Sequence, residues 1–251
     1  MSNSETQDSP KNALQWYASW FDTPYYHILY KDRDFAEAQY FVDNLTNHLN
    51  LPEGAKILDL ACGRGRHSIY LNRLGYDVTG VDLSENSISI ASEYTNEKLH
   101  FIVHDMRLPL DEKYDAIFNL FTSFGYFEND DDNLATLKAI HNSLSEYGLA
   151  VIDFMNVDYV IENLVELEVK EVDGIVFHIR RYVKNNIIYK EIDFEDNGKK
   201  FHFTEKVKAL RLADFEKMME EANIYLLEIF GDYKLGKFYK NTSDRLIMIF
   251  K

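Results

Sequence analysis

Two carboxylates and two glycines carry the chemistry legible in this chain: Asp59, Gly63, Gly65 and Asp82. Glycine has no Cβ, so a turn through Gly63 and Gly65 can tighten and let the backbone approach a ligand closely. A helix beginning just after, at Arg66, would aim its free N–H groups and positive dipole end at that ligand. Asp82 falls 17 residues past Gly65, where an acid able to accept both hydroxyls of a ribose belongs. The minimal reading is a nucleoside-containing ligand. Asp59, four residues ahead of Gly63, would repel a pyrophosphate and suits a cation. The string Gly63–Ser68 also lacks the third glycine of the dinucleotide fingerprint.

The elements that must hold these residues follow from apolar spacing. Lys56–Leu60 reads as a strand, Arg66–Leu74 as a helix with Ile69, Leu71 and Leu74 on one side, and Asp77–Val81 as a second strand. Together they make one βαβ unit, the usual site-bearing unit of an open parallel sheet. Leu99–Val103 is a third strand, ending in His104-Asp105-Met106. Tyr114–Leu120 is a fourth, apolar at its centre as a strand buried on both faces should be. It runs into Asn119–Phe127, NLFTSFGYF. Asp130–Leu144 reads as an acid-led helix, Gly148 as a turn and Ala150–Phe154 as a fifth strand. Residues 165–210 then alternate apolar and polar, with turn signals at Asp173-Gly174, Asn185-Asn186 and Asp196-Asn197-Gly198. That pattern is a β-rich insertion of about four antiparallel strands. Arg211–Glu221 is a helix, and Ile224–Phe230 with Leu246–Phe250 close the sheet.

The string Asp59-Leu-Ala61-Cys-Gly63-Arg-Gly65 resembles motif I of the class I S-adenosylmethionine-dependent methyltransferases. The resemblance implies a Rossmann-like α/β fold. Its seven-stranded sheet is parallel with an antiparallel last strand and is flanked by helices; here it carries the β-rich antiparallel insertion. It implies that the glycine turn holds the methionine end of S-adenosylmethionine, which carries an ammonium and a sulfonium. It assigns cofactor contacts to Asp59, Ala61, Gly63, Gly65, His67, Asp82 and Leu83, to Asp105 and Met106 at the adenine, and to Asn119 after the fourth strand. Tyr17, Phe21-Asp22, Tyr25, Tyr26 and Tyr30 resemble the tyrosine-rich segment that closes over the cofactor in small-molecule N-methyltransferases, which adds Tyr25, Tyr30 and Arg33 to the cofactor set. Such ring faces attract sulfonium and ammonium groups, but the segment reads equally as an apolar cap on the core.

Thr122–Tyr126 resembles the Ser-Ser-x-Gly-Tyr stretch of sugar and other small-molecule N-methyltransferases, and the Asn/Asp-Pro-Pro-Tyr motif of nucleobase and glutamine-amide enzymes is missing. Candidate proton acceptors are Tyr26, Tyr126 and His178, the last alternating with Arg180 and Tyr182 on one face of the insertion. Expected is methyl transfer to a small-molecule acceptor, an amine, by in-line displacement, with no metal. Two other readings stand beside it: a nicotinamide-dependent oxidoreductase on the same βαβ unit, and a non-catalytic subunit that binds S-adenosylmethionine.

The chain has 251 residues, 46% of them hydrophobic, and a formal net charge of −15. That charge disfavours nucleic acid and anionic membrane surfaces, and no apolar run approaches the ~18 residues of a membrane span. The polar start lacks the layout of a secretion signal, and residues 1–11 read as disordered. The lone cysteine, Cys62, excludes an intrachain disulfide and suits a reducing cytoplasm; in the turn it is a small residue where a large one would not fit. The expected units are residues 1–50, lid and helices, and 51–251, the methyltransferase domain with its insertion at 165–210. Similar insertions shape the acceptor pocket or a homodimer interface, so pairing of two copies through this one is a further expectation.

Overall fold

The computed structural model describes residues 16–31 and 35–251. Residues 1–11 and Arg33 lie outside these. The first half of the chain forms α1 (Trp16–Trp20), α2 (Pro24–Leu29), α3 (Phe35–Leu49), β1 (Lys56–Leu60), α4 (Arg66–Arg73), β2 (Asp77–Asp82), α5 (Glu85–Ala91), β3 (Leu99–Val103) and β4 (Tyr114–Asn119). The second half forms α6 (Asp130–Ser143), β5 (Leu144–Met155), α7 (Val157–Glu162), β6 (Leu167–Val172), β7 (Ile175–Lys184), β8 (Ile187–Asp196), β9 (Lys199–Lys208), α8 (Leu212–Glu221), β10 (Leu226–Phe230) and β11 (Arg245–Phe250).

Seven strands form the main sheet in the order β10-β11-β5-β4-β1-β2-β3. β1 to β5 are parallel, and β11 enters antiparallel between β5 and β10. The central strands are mostly apolar because helices cover both faces. On one face Phe41, Val42 and Leu45 of α3 and Leu71 of α4 meet Ile57 and Phe118. On the other, Leu137 and Ile140 of α6 and Phe215 and Met219 of α8 meet Leu58 and Ile117. Each such side chain, fully buried, contributes about 1.5–3 kcal/mol of transfer free energy. Strand order reverses between β1 and β4, so the carboxyl ends of β1, β2 and β4 open the crevice where ligands bind in such sheets.

One boundary differs from expectation. Gly148 lies inside β5, which starts directly after α6. The register of β4 on β5 shifts between Tyr114 and Ala116, and a Cβ on Gly148 would sit 2.7 Å from the Tyr114 carbonyl oxygen. Glycine here admits a close strand, which a local turn signal does not distinguish from a loop.

The insertion is a separate antiparallel sheet, β6-β7-β8-β9. Its inner face, Val172, Ile175, Phe177, Ile179, Ile192 and Phe194, packs on Trp20 of α1 and Leu29 of α2. The aromatic segment therefore rests on the second sheet, through a cluster of its own rather than through the main core. Glu205 of β9 accepts from Trp20 Nε1 and from Tyr30 Oη, both at 2.7 Å. Thr23 caps α2 by accepting from the Tyr26 amide at 3.2 Å, and Pro24 fills the first helical position, where no amide hydrogen is needed. No helix among the described residues is long and apolar enough to cross a membrane.

Candidate active site

The glycine turn is stitched to the end of β2. The Cys62 amide donates to the Val81 carbonyl at 2.9 Å and the Gly63 amide to Asp82 Oδ2 at 2.8 Å, while Ser84 N donates to Asp82 Oδ1 at 2.9 Å. Ala61, Gly63 and Gly65 all have positive φ. The two glycines serve different ends. A Cβ on Gly63 would meet nothing within 4 Å, so the space above it is free. A Cβ on Gly65 would lie 2.6 Å from Phe101 Cε1, so Gly65 lets the start of α4 pack on β3.

A cavity of about 550 Å³ opens over this turn. Its floor is Ala61, Cys62, Gly63, Arg64, Arg66 and His67; one wall is Asp82, Leu83, Ser84, His104, Asp105 and Met106. The loop after β4 supplies Leu120, Phe121, Ser123, Tyr126 and Phe127, and the aromatic segment closes the top with Tyr17, Phe21, Tyr26, His27, Tyr30 and Lys31. Of the residues expected from sequence, Tyr26, Tyr30, Ala61, Gly63, His67, Asp82, Leu83, Asp105, Met106 and Tyr126 meet here.

Of the others, those among the described residues do not line the cavity. Asp59 is 2% exposed and turned away from it, accepting from Ser68 Oγ at 2.5 Å beneath the turn; burial pushes its carboxyl up to about 6. Gly65 is spent on the Phe101 contact. Asn119 is buried and donates to the Leu60 carbonyl at 3.0 Å, tying β4 to β1. Tyr25 points to the second sheet, donating to Asp196 at 2.9 Å and packing on Phe194 and Phe201. His178 stands on the outer face of that sheet, because its neighbours Phe177 and Ile179 take the inner one. It is corrected from pocket residue to surface residue. Arg33 lies outside the described residues.

Burial pushes the Cys62 thiol well up, so it is a neutral packing residue of the turn. Burial likewise pushes His67 down to about 3, with Arg66 adding to the effect; Arg66 Nη2 donates to His67 Nε2 at 3.0 Å, and the ring stacks on Phe121 at 4.7 Å between centroids. Burial would raise Asp105, but hydrogen bonds and charge from Arg107 hold it below the ordinary value; Arg107 also reaches Asp132 at 3.1 Å. Among the described residues no group of three or more His, Cys, Asp or Glu side chains could hold a metal ion.

The loop after β4 is strained and braced. Phe121 and Thr122 are consecutive non-glycine residues in the left-handed region, at φ 57 and 59. The Phe121 amide donates to Asp153 Oδ2 at 2.8 Å and the Thr122 amide to the Asp153 carbonyl at 3.0 Å. Arg245 bonds Asp153 at 2.6 Å and Thr122 Oγ1 at 3.0 Å. Sequence reading missed this pair, and no spacing links positions so far apart. It also missed His27, Arg64, Arg66 and His104. The Tyr17 hydroxyl, His27 Nε2 and Arg64 Nε are buried in the cavity wall without a hydrogen-bond partner. Buried polar atoms are nearly always satisfied, so this wall fits a polar ligand. Free space over Gly63, the Asp82 carboxylate in the wall and an aromatic roof fit a cationic nucleoside.

A doubly wound sheet with its seventh strand reversed, a glycine turn bonded to a carboxylate at the end of β2, and a crevice above them are the parts that receive a nucleoside-containing ligand in such sheets. Residues 57–148 match the family model described as a methyltransferase domain. The chain is 27% identical over 195 residues to the protein of Bacillus subtilis (strain 168) named as the methyltransferase YqeM, covering 73% of this chain and 79% of that one. It is 30% identical over 137 residues to a glycine/sarcosine N-methyltransferase of Aphanothece halophytica, covering 52% and 50%. The fold is that of the crystal structure of an S-adenosylmethionine-dependent methyltransferase from Clostridium acetobutylicum, with TM-score 0.76, 23% identity and coverage of 90% and 95%. The matched domain, the relatives and the shared fold together support a class I S-adenosylmethionine-dependent methyltransferase, with S-adenosylmethionine as its cofactor.

Proposed function

We propose that this enzyme methylates an amine on a small molecule. The observation that carries the reading is the aromatic roof, Tyr17, Phe21, Tyr26 and Tyr30, joined by ring contacts to Tyr126 and Phe127 of the loop after β4. Aromatic faces attract cations, and both the sulfonium of the donor and a protonated amine are cations. The name of the glycine/sarcosine relative supports the same acceptor atom. So does the likeness in fold to a sugar N-methyltransferase, KedS8 of Streptoalloteichus, at TM-score 0.69. A net charge of −15 suits a small neutral or cationic acceptor and no nucleic acid. Cys62, free and buried, suits a reducing cytoplasm.

In this reading Asp82 accepts from the ribose hydroxyls with the lone pairs left over from Gly63 and Ser84. Asp105 takes the adenine amino group and Met106 packs on the ring. Ala61 to Gly63 hold the amino-acid end. The donor supplies a methyl group already activated on its sulfonium, so the protein's work is alignment of the acceptor behind it and removal of one proton. Tyr126, its hydroxyl bonded to the Thr122 carbonyl at 2.5 Å, is one candidate for orienting the acceptor while that proton passes to water. Tyr26, also in the wall, is the other candidate. Calorimetric titration with S-adenosylhomocysteine tests the donor site. Wild type should bind, and Asp82→Ala should bind about tenfold or more weakly, since a hydrogen bond to a charged group is worth about 1.5–3 kcal/mol. Undiminished binding by the variant rules out the site as drawn. Transfer of a labelled methyl group to hydroxyl compounds but to no amine would rule out the acceptor.

A further inference from the structure

Arg66 serves two spaces. It lines the large cavity, and with His67 it also lines a smaller one of about 170 Å³. Gln39 of α3, Tyr70 and Arg73 of α4, and Tyr94 are further walls of that smaller cavity. Arg66, Tyr70 and Arg73 stand at i, i+4 and i+7 of α4, so they share one helix face. Two guanidinium groups therefore meet in this space, and among the described residues no carboxylate lines it. That balance runs against the chain as a whole, which has 42 acidic and 27 basic residues. Asp43 of α3 bonds the Tyr70 hydroxyl at 2.8 Å but is not part of the lining. The Arg73 side chain makes no ion pair or hydrogen bond among the described residues. Arg66 donates to His67 at 3.0 Å and lies over the Phe121 ring at 5.2 Å, so it also braces the floor of the large cavity.

Two guanidinium forks with no acid between them fit a phosphate group, whose oxygens each fork can hold as a bidentate pair. Seven residues of helix rise about 10.5 Å, a gap that two long side chains close from its two ends. We propose that the smaller cavity is an anion site for a phosphate group, free or carried on a small ester, held between Arg66 and Arg73. The site is coupled to the methyl donor by charge. Arg66 faces both cavities, and its positive charge opposes a donor that brings a sulfonium. A phosphate dianion on Arg66 offsets that charge and strengthens the cationic donor. The product, S-adenosylhomocysteine, has lost the sulfonium and gains less. The coupling rests on the donor lying in the large cavity, as proposed above; the anion site does not.

The experiment titrates inorganic phosphate and glycerol 3-phosphate calorimetrically into the full chain, with sodium chloride at matched ionic strength as the control. Saturable binding of at least one, abolished by Arg73→Gln, is the expected result, and the tighter of the two names the source of the group. Arg73 is exposed and glutamine is a good helix former, so donor binding at wild-type strength without phosphate shows that the variant is folded. Saturating phosphate should raise the affinity of wild type for S-adenosylmethionine about fivefold or more, the low end of coupling between distinct sites. The gain should be smaller for S-adenosylhomocysteine and absent in Arg73→Gln. Binding of neither anion, or binding that survives Arg73→Gln, overturns the site. Competition between phosphate and the donor overturns it too, by placing the anion in the large cavity. An equal gain for donor and product, or a gain that chloride reproduces, overturns the coupling. Failure of wild type to bind donor or product would instead refute the donor site, and the phosphate titration would still decide the anion site.

Discussion

Arg245→Met is the perturbation that tests how the site loop is held. Asp153 is fully buried, with 0% exposure, and lies on β5; Arg245 opens β11 and pairs with it through Nε at 2.8 Å and Nη2 at 2.6 Å. The carboxylate also accepts from the Phe121 amide at 2.8 Å and from the Tyr233 hydroxyl at 3.4 Å. Methionine keeps the apolar stem and deletes the charge, leaving Asp153 with those two neutral donors. Removing one partner of a buried pair costs about 3–5 kcal/mol, because the other charge stays buried. For a chain of this size 1 kcal/mol moves Tm by about 2–4 °C, so the midpoint should fall by about 6–20 °C. Asp153→Asn should also destabilise, since it leaves Arg245 unpaired. The double variant should cost less than the sum of the two, because both orphans vanish together. The consequence for the site is separate. The left-handed Phe121 and Thr122 each store about 1–3 kcal/mol of backbone strain, held by these bonds. Released, Phe121 leaves the His67 ring and the cavity wall, so affinity for S-adenosylhomocysteine should drop along with Tm. Circular-dichroism melts and calorimetry on the three variants supply the measurements. A midpoint within 2 °C of wild type for Arg245→Met, or strict additivity in the double variant, would refute the reasoning.

Other predictions follow from single contacts. Gly65→Ala should destabilise by about 2–4 kcal/mol in urea titrations, from a left-handed backbone and a Cβ 2.6 Å from Phe101, whereas Gly63→Ala should cost only about 1 kcal/mol of stability and lose donor affinity instead. Asp59 has its folded value pushed up to about 6 by burial, above the 3.8 of the free acid, so the folded state holds that proton more tightly. Its contribution therefore falls as pH rises from about 4 to about 6 and is constant above; Asp59→Asn should gain stability relative to wild type across that window, by at most about 3 kcal/mol. A flat difference curve would contradict this. Both tryptophans of the chain, Trp16 and Trp20, lie in α1, so tryptophan emission, excited selectively over the tyrosines, reports on the lid alone. Glu205→Ala removes the acceptor of the Trp20 indole and of the Tyr30 hydroxyl, and should shift that emission and weaken donor binding while leaving the glycine turn intact.

The βαβ unit and the four-stranded insertion were both written in the chain itself. Each rests on short-range rules: apolar period, turn residues and the missing Cβ of glycine act within a few positions and need no partner from afar. The same locality made Asp82 legible, since a strand end a fixed distance past the turn must lie beside it. The facing of side chains was decided by packing. His178 alternates with Phe177 and Ile179 in any strand, but only the seating of Trp20 and Leu29 on that sheet determines which of the two sets meets solvent. Asp59 has the spacing of a ligand carboxylate, yet Ser68 on the first turns of α4 captures it from below. Tyr25 and Tyr26 are neighbours in sequence and part company because a helix sends adjacent side chains about 100° apart, one to the second sheet and one to the cavity. Arg64, His27 and the brace of Asp153 with Arg245 come from separate stretches of chain. Their meeting is a product of how helices and sheets dock, and no periodicity in one stretch encodes it.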